Sequence, residues 1–284
     1  MNILAATDFS TRSYRALRQA GLLARAGLQL HIVHVVDDDQ PAALVDLETR
    51  EAERVVREQI ASIPELKGVD AHPRVTGGYP SEGIQQAAHD VGADLIVMGS
   101  HRRQILRDIF VGTTIERVIR KGSVPVLMVN NEAQRSYERI VVPIDLSDAS
   151  AKALSFALSS GLISDRGATL LHAFAALGKG KMYVANADKA AIDRHVAAER
   201  QKALGELMAF LSTNGFEGGR WSVQVEEGEP MDVISRVVSS QRADLLVMGT
   251  HGRTGLRKTL IGSVTEEALR TLSVDILAVP RSTP

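Results

Sequence analysis

The chain contains no cysteine. This excludes disulfides, thiolate catalysis and cysteine-held zinc or iron–sulfur clusters, and it fits a reducing compartment. Aromatic residues are also scarce, 4% of 284 positions with a single Trp, so few side chains could serve as stacking platforms for unpaired bases. Neither sign of charge is in excess: 33 Lys+Arg stand against 34 Asp+Glu, a formal net charge of -1. Without a global positive field, sequence-independent binding of nucleic acid is not expected. Long apolar runs are missing, since no window reaches the roughly 18 to 20 residues needed to span a bilayer. The start, MNILAATDFS, shows no basic segment followed by an apolar run and a cleavage site. The expectation is a cytoplasmic protein with neither nucleic acid nor membrane as a partner.

What is present is the composition of a globular protein, 44% hydrophobic and 24% charged, in a chain long enough for two ordinary domains. The chain also repeats itself. Residues 93–129, ADLIVMGSHRRQILRDIFVGTTIERVIRKGSVPVLMV, align without a gap on 243–279, ADLLVMGTHGRTGLRKTLIGSVTEEALRTLSVDILAV, with close to half the positions identical. The openings NILAATDFS (2–10) and RIVVPIDLS (139–147) correspond as well, each an apolar run ending in Asp with a Ser two positions later. A repeat this long is a duplicated domain rather than a solenoid unit. The expected boundaries are 1–132 and 138–284, with the polar segment NNEAQRSYE (130–138) as linker.

Within each half, short β-branched runs alternate with longer segments of helical spacing. LHIVHVV (30–36), PRVTG (73–77), DLIVMG (94–99) and VPVLMV (124–129) have counterparts in ATLLHAFAA, WSVQVEEG, DLLVMG and VDILAV. Nearly continuous apolar strands, each followed by a helix, indicate a parallel sheet covered on both faces. The predicted fold is α/β: two tandem doubly wound domains, each with a five-stranded parallel sheet.

In such sheets ligands bind beyond the carboxyl ends of the strands, where the winding reverses. That rule selects the loops after the first and fourth strands. In the second half these carry Asp145 and the stretch GTHGRTGLRKTLIGS (249–263). Gly249 and Gly252 lack a Cβ and would let backbone approach a sugar or phosphate. Ser263 opens SVTE, a capping-box form, so a helix is expected there with free amides at Val264 and Thr265, a terminus that favours an anion. Arg253, Arg257 and Lys258 add positive charge, and the strand LLVM before Gly249 offers one wall for a flat base. Other roles stay open for each feature. SVTE and its counterpart TTIE (113–116) also read as plain helix caps, and Asp8 and Asp145 as local capping groups. His34 and His172, in apolar strands without a second ligand at a suitable spacing, read as satisfied core histidines rather than metal ligands. His101 and His251 are loop histidines with no evident catalytic partner.

These residues resemble the universal stress proteins, in their tandem two-domain form, over nearly the whole chain. Nucleotide-binding members carry G, two residues, G, nine residues, G, then Ser or Thr, and the second half matches in full: Gly249, Gly252, Gly262, Ser263. The resemblance implies a Rossmann-like fold of the adenine nucleotide alpha hydrolase-like kind. It implies ATP or ADP, with Mg2+ as a companion ion, held by Asp145, Ala173, Met248, Gly249, Thr250, His251, Gly252, Arg253, Gly262, Ser263, Val264 and Thr265. The first half departs at one position, where Gly99 is followed by Arg102 in place of the second glycine before Gly112 and Thr113. It is expected to be empty, weaker, or adapted to another anion through Asp8, Gly99, Arg102, Arg103, Arg107, Gly112 and Thr113. By the same resemblance the fifth strands of the two halves pair within the chain, and two chains form a homodimer. The function implied is a stress-response protein with the nucleotide as a regulatory ligand. A slow ATP-hydrolysing or adenylyl-handling enzyme is the alternative, although no Walker lysine, acidic Mg2+ pair or nucleophile–base set stands in the sequence. A nucleotide-independent dimerisation scaffold is the third reading.

Overall fold

The runs rich in Val, Ile and Leu form strands, and the segments between them form helices, four of which are capped by Ser10, Thr113, Ser147 and Asp188. The computed structural model describes residues 1–25, 27–100, 113–133, 135–163, 167–251 and 261–281. In chain order the first half holds β1 (Asn2–Ala6), α1 (Thr11–Ala24), β2 (Gln29–Val36), α2 (Ala42–Ser62), β3 (Ala71–Gly77), α3 (Pro80–Asp90), β4 (Leu95–Gly99), α4 (Thr114–Lys121) and β5 (Val126–Val129). The second continues with β6 (Ile140–Pro143), α5 (Asp148–Ser159), β7 (Ala168–Phe174), α6 (Lys179–Val184), α7 (Lys189–Thr213), β8 (Trp221–Glu227), α8 (Pro230–Ser240), β9 (Leu245–Gly249), α9 (Ser263–Thr271) and β10 (Asp275–Val279). Among the described residues no helix is long and apolar enough to cross a membrane.

Two compact units result. In the first, β3, β2, β1, β4 and β5 lie side by side and parallel, with the winding reversing between β1 and β4. The second unit has the corresponding parallel order β8, β7, β6, β9, and its reversal lies between β6 and β9, where Ile140 pairs with Leu245 and Val141 with Leu246. Central strands are apolar on both faces because helices cover both: Ile3, Leu4 and Ala5 of β1 and Leu245, Leu246 and Val247 of β9 are fully buried. Helix α1 turns Ala16, Leu17, Ala20 and Ala24 inward, and α5 does the same with Ala149, Ala153, Leu154 and Ala157, one stripe each at helical spacing.

The fifth strand of the second repeat, β10, groups with the first unit. It runs antiparallel to β5, with Ile276 opposite Met128, Leu277 opposite Leu127 and Ala278 opposite Val126. A polar clasp fixes this register. The carboxylate of Asp275, 3% exposed, accepts hydrogen bonds at Oδ1 from the backbone N–H of Asn130 (2.8 Å) and of Asn131 (2.9 Å) and from the Asn131 side chain (3.2 Å). Asn130 Nδ2 in turn donates to the carbonyl of Val274 (2.7 Å) and Asn131 Nδ2 to that of Ser273 (2.9 Å).

The segment expected as linker, 130–138, contains the boundary between the two units, which falls between Ser136 and Tyr137. Its first residues also make specific hydrogen bonds, while Asn131, Glu132, Arg135 and Ser136 are exposed. Asn130 and Asn131 hold β10, Glu132 forms ion pairs with Arg15 (2.5 Å) and Arg18 (3.1 Å), and Ala133 and Tyr137 are buried. Removing the carboxylate should leave two part-buried backbone donors without their acceptor, each costing about 1–3 kcal/mol at most. Asp275→Ala should therefore lower the unfolding free energy in urea by about 3 kcal/mol, and Asp275→Asn, which keeps an acceptor, by less than half of that. Equal losses in the two variants would contradict the clasp.

Candidate functional site

Strand β6 leads directly into Asp145, Leu146 and Ser147. Asp145 Oδ1 accepts from the Ser147 N–H (3.1 Å) and hydroxyl (2.5 Å), while Ser147 Oγ accepts from the Ser150 N–H (3.3 Å) and caps α5. Between them Leu146 is held at φ +62°, a left-handed conformation that costs a bulky residue on the order of 1–3 kcal/mol. The first unit repeats the device: Asp8 Oδ1 accepts from Ser10 N–H (3.0 Å) and hydroxyl (2.5 Å), and Phe9 sits at φ +61°. Both aspartates thus act as local capping groups. Since both Ser147 bonds end on Oδ1, Oδ2 of Asp145 has no partner among the described residues.

The two strand histidines hold these turns from the side. His172 Nδ1 is 2.7 Å from the carbonyl oxygen of Ile144, and His34 Nδ1 is 2.9 Å from that of Thr7. A carbonyl only accepts, so each Nδ1 carries the proton. They are satisfied core histidines, as expected.

At the mouth of the second unit lies a pocket of about 240 Å³. One wall is apolar, formed by Ile144 after β6, Leu171 and Ala173 on β7, and Met248 on β9. Pro230 and Ile234 of α8 close a second side, Asp145 supplies a carboxylate, and Gly262, Ser263, Val264 and Thr265 form the far end. Gly249 and His251 also line it, and Thr250 sits behind them, 1% exposed. Of the second-half residues singled out by sequence, Gly252 and Arg253 lie outside the described residues, as do Arg257 and Lys258. Leu171 was legible in principle, being two positions from Ala173 and hence on the same strand face. Nothing in the local pattern shows that the start of α8 reaches this crevice.

The far end corrects the expected capping box. The N-cap of α9 is Gly262 (φ -60°, ψ 143°), with no side-chain capping bond, and the first helical bond runs from Glu266 N–H to the Gly262 carbonyl (2.9 Å). Ser263 is therefore the first helical residue, not the cap. Two bonds fix this earlier entry: Gly262 N–H donates to the Thr250 carbonyl (2.7 Å), and Thr265 Oγ1 donates to the Gly249 carbonyl (2.9 Å). The backbone N–H groups of Ser263, Val264 and Thr265 consequently have no acceptor among the described residues. Three orphan donors at a helix start carry partial positive charge into the pocket.

The first unit settles the same terminus differently. Thr113 is the N-cap of α4, its hydroxyl accepting from Glu116 N–H (3.2 Å), and Glu116 Oε2 accepts from Thr113 N–H (3.1 Å). Side chains thus satisfy two of the four donors at this start, while the N–H groups of Thr114 and Ile115 have no acceptor among the described residues. Asp8 and Gly99 are in place beside it, whereas His101, Arg102, Arg103, Arg107 and Gly112 lie outside the described residues. At Asp8, desolvation pushes the carboxyl up, but the hydrogen bonds from Ser10 and Ser13 outweigh it and hold the group below its ordinary value.

The glycines that end β4 and β9 also have a packing task. A Cβ on Gly249 would lie 2.7 Å from the backbone carbon and oxygen of Ala149, and one on Gly99 2.5 Å from those of Arg12. Each is glycine because a helix backbone crosses the strand end there, with no ligand needed to explain it.

The family model described as "Universal stress protein family" matches the chain twice, over residues 1–130 and 136–280. The chain belongs to the universal stress protein family. It carries two such domains in tandem on a mostly parallel α/β scaffold. The crystal structure of a universal stress protein from Archaeoglobus fulgidus shares the fold, with a TM-score of 0.72 at 21% identity over 99% of this chain and 98% of that one. Universal stress protein Slr1230 of Synechocystis is 34% identical over 127 residues, a match that spans 44% of this chain and 41% of that protein. Universal stress protein E of Escherichia coli is 24% identical over 211 residues, 70% of this chain and 65% of the other.

Two outcomes follow from the packing and the charges. Gly249→Ala should destabilise the protein by about 1–3 kcal/mol through the overlap with α5. Gly205→Ala, on α7 where an added Cβ meets nothing within 4 Å, should stabilise by up to about 1 kcal/mol; a melting-temperature comparison reads both. Because the folded Asp8 carboxyl titrates below its unfolded counterpart, its contribution is complete above the unfolded value and drains away as pH falls through the folded one. Stability measured from pH 7 down to 3 should lose this component in Asp8→Asn, and an unchanged acid limb would contradict it.

Proposed function

We propose that the second unit binds one adenine nucleotide, ATP or ADP, and that the bound nucleotide acts as a regulatory ligand in a stress response. One observation carries this: a helix start with three unpartnered N–H groups opens onto a pocket that has an apolar slot at its other end. An adenine ring suits the slot of Leu171, Ala173 and Met248, the ribose hydroxyls suit the free oxygen of Asp145, and the phosphates suit the amides of Ser263, Val264 and Thr265. Gly252 and Arg253 complete the assignment through the glycine spacing, and Mg2+ would accompany the phosphates. The first unit, whose helix start is capped by Thr113 and Glu116, is proposed to leave this role to the second.

The domains are proposed to extend over 1–132 and 138–284, with the halves joined as an internal pair through β5 and β10, and with a dimer of chains in the cytoplasm. A regulatory nucleotide works only through its difference in affinity between two states of the protein. The relevant readout is therefore a change of partner binding or conformation, with turnover absent or slow.

The N–H at the first helical position can be deleted without a helix penalty. Proline is favoured there, and the extended Gly262 before it already has the backbone that a pre-proline residue requires. Ser263→Pro should keep the melting temperature of the apoprotein and weaken ATP or ADP binding to the full chain by about tenfold or more. Isothermal titration with and without Mg2+ should give one site per chain in the parent protein. Two equal sites, or undiminished binding by Ser263→Pro, would overturn the proposal.

A further inference from the structure

On α4 of the first unit, Arg117, Arg120 and Lys121 stand three and four positions apart and so share one face. Across a groove from them begins α3. Gln85 Nε2 donates to the Val118 carbonyl (3.3 Å) and Lys121 Nζ pairs with Glu82 (3.2 Å), which fixes the two helices side by side. The groove encloses about 410 Å³ lined by Tyr79, Ser81, Glu82 and the three cations. It lies apart from the reversal between β1 and β4.

Three features of the lining call for a ligand. The guanidinium groups of Arg117 and Arg120 have no partner among the described residues, since Glu82 pairs with Lys121. Ser81 lines the groove, and its hydroxyl, which keeps access to solvent, has no protein partner among the described residues. The ring of Tyr79 is 69% exposed at the rim. Cations in the last turn of a helix complement its dipole, which accounts for Arg120 and Lys121 but not for Arg117, the Ser81 hydroxyl or the ring.

The second repeat shows that the fold does not demand this chemistry. The positions 150 further on are Glu229, Met231, Asp232, Glu267, Arg270 and Thr271. Three cations against one carboxylate in the first repeat become one cation against three carboxylates in the second, a change from +2 to -2 on the same scaffold. The Ser81 hydroxyl gives way to the thioether of Met231.

We propose that the groove between α3 and α4 of the first unit is a binding site for a small phosphate monoester carried on a planar group. The two free guanidinium forks would bind the phosphate oxygens, the Ser81 hydroxyl would donate a further hydrogen bond, and Tyr79 would stack on the planar part. This site is independent of the nucleotide pocket of the second unit.

Phenyl phosphate and inorganic phosphate serve as probes, titrated into the full chain by calorimetry with phosphorus NMR as a second readout. Phenyl phosphate should saturate one site in the Ser263→Pro chain, whose nucleotide pocket is impaired. Arg117→Glu with Arg120→Glu, both on the surface, should weaken it by about tenfold or more. Tyr79→Ala should weaken phenyl phosphate while leaving inorganic phosphate unchanged. Absence of saturable binding in the Ser263→Pro chain, or binding there that survives the double reversal in a folded variant, would overturn the proposal. A Tyr79→Ala variant that binds both probes like the parent would remove the planar group from it.

Discussion

Every helix begins with N–H groups that have no partner inside the helix, and something must satisfy them. The two halves of this chain meet that constraint to different extents at equivalent places. In the first, Thr113 and Glu116 cap the start of α4 with their own side chains. In the second, Gly262 brings no side chain to the cap, and two bonds from the neighbouring strand end pull the helix start one residue earlier. The fold is the same, and the electrostatic character of the two crevices is not. An anion at the second helix start meets three free amides, whereas one at the first meets two, beside the carboxylate of Glu116.

The rest of the second crevice serves to hold that terminus open. Asp145 and Ser147 tie the β6 turn to α5 while Leu146 accepts an unfavourable backbone conformation between them, and His172 braces the turn through the Ile144 carbonyl. Strain of this size persists only where the surroundings over-determine it. Gly249 lets α5 cross close over the end of β9, so that the Gly249 carbonyl meets Thr265 and the strand positions the helix start. Gly249 both lines the pocket and packs against Ala149.

Much of this was legible in the sequence. The duplication, the alternation of strand and helix, and the location of the crevice follow from periodicity and from Asp145 and the 249–263 stretch. Three matters were not. Whether S-x-x-E or T-x-x-E closes a helix depends on where the preceding backbone is held, and that is set by Thr250 and Gly249 rather than by the four-residue pattern itself. Asn130 and Asn131, at the start of the 130–138 segment, hydrogen-bond Asp275, 145 and 144 positions away, a pairing with no local signal. The approach of Pro230 and Ile234 to the pocket is likewise a property of how α8 packs on the sheet. Local motifs reported residue types well, but not which partner each backbone N–H had already taken.

The central claim concerns individual amides, so their individual resonances test it most directly. Nitrogen–proton spectra of the full chain recorded during an ATP titration should show Ser263, Val264 and Thr265 shifting together and saturating at one equivalent, with Thr113 and Glu116 unmoved. Equal movement at both helix starts, or shifts that leave residues 263–265 in place, would contradict the account.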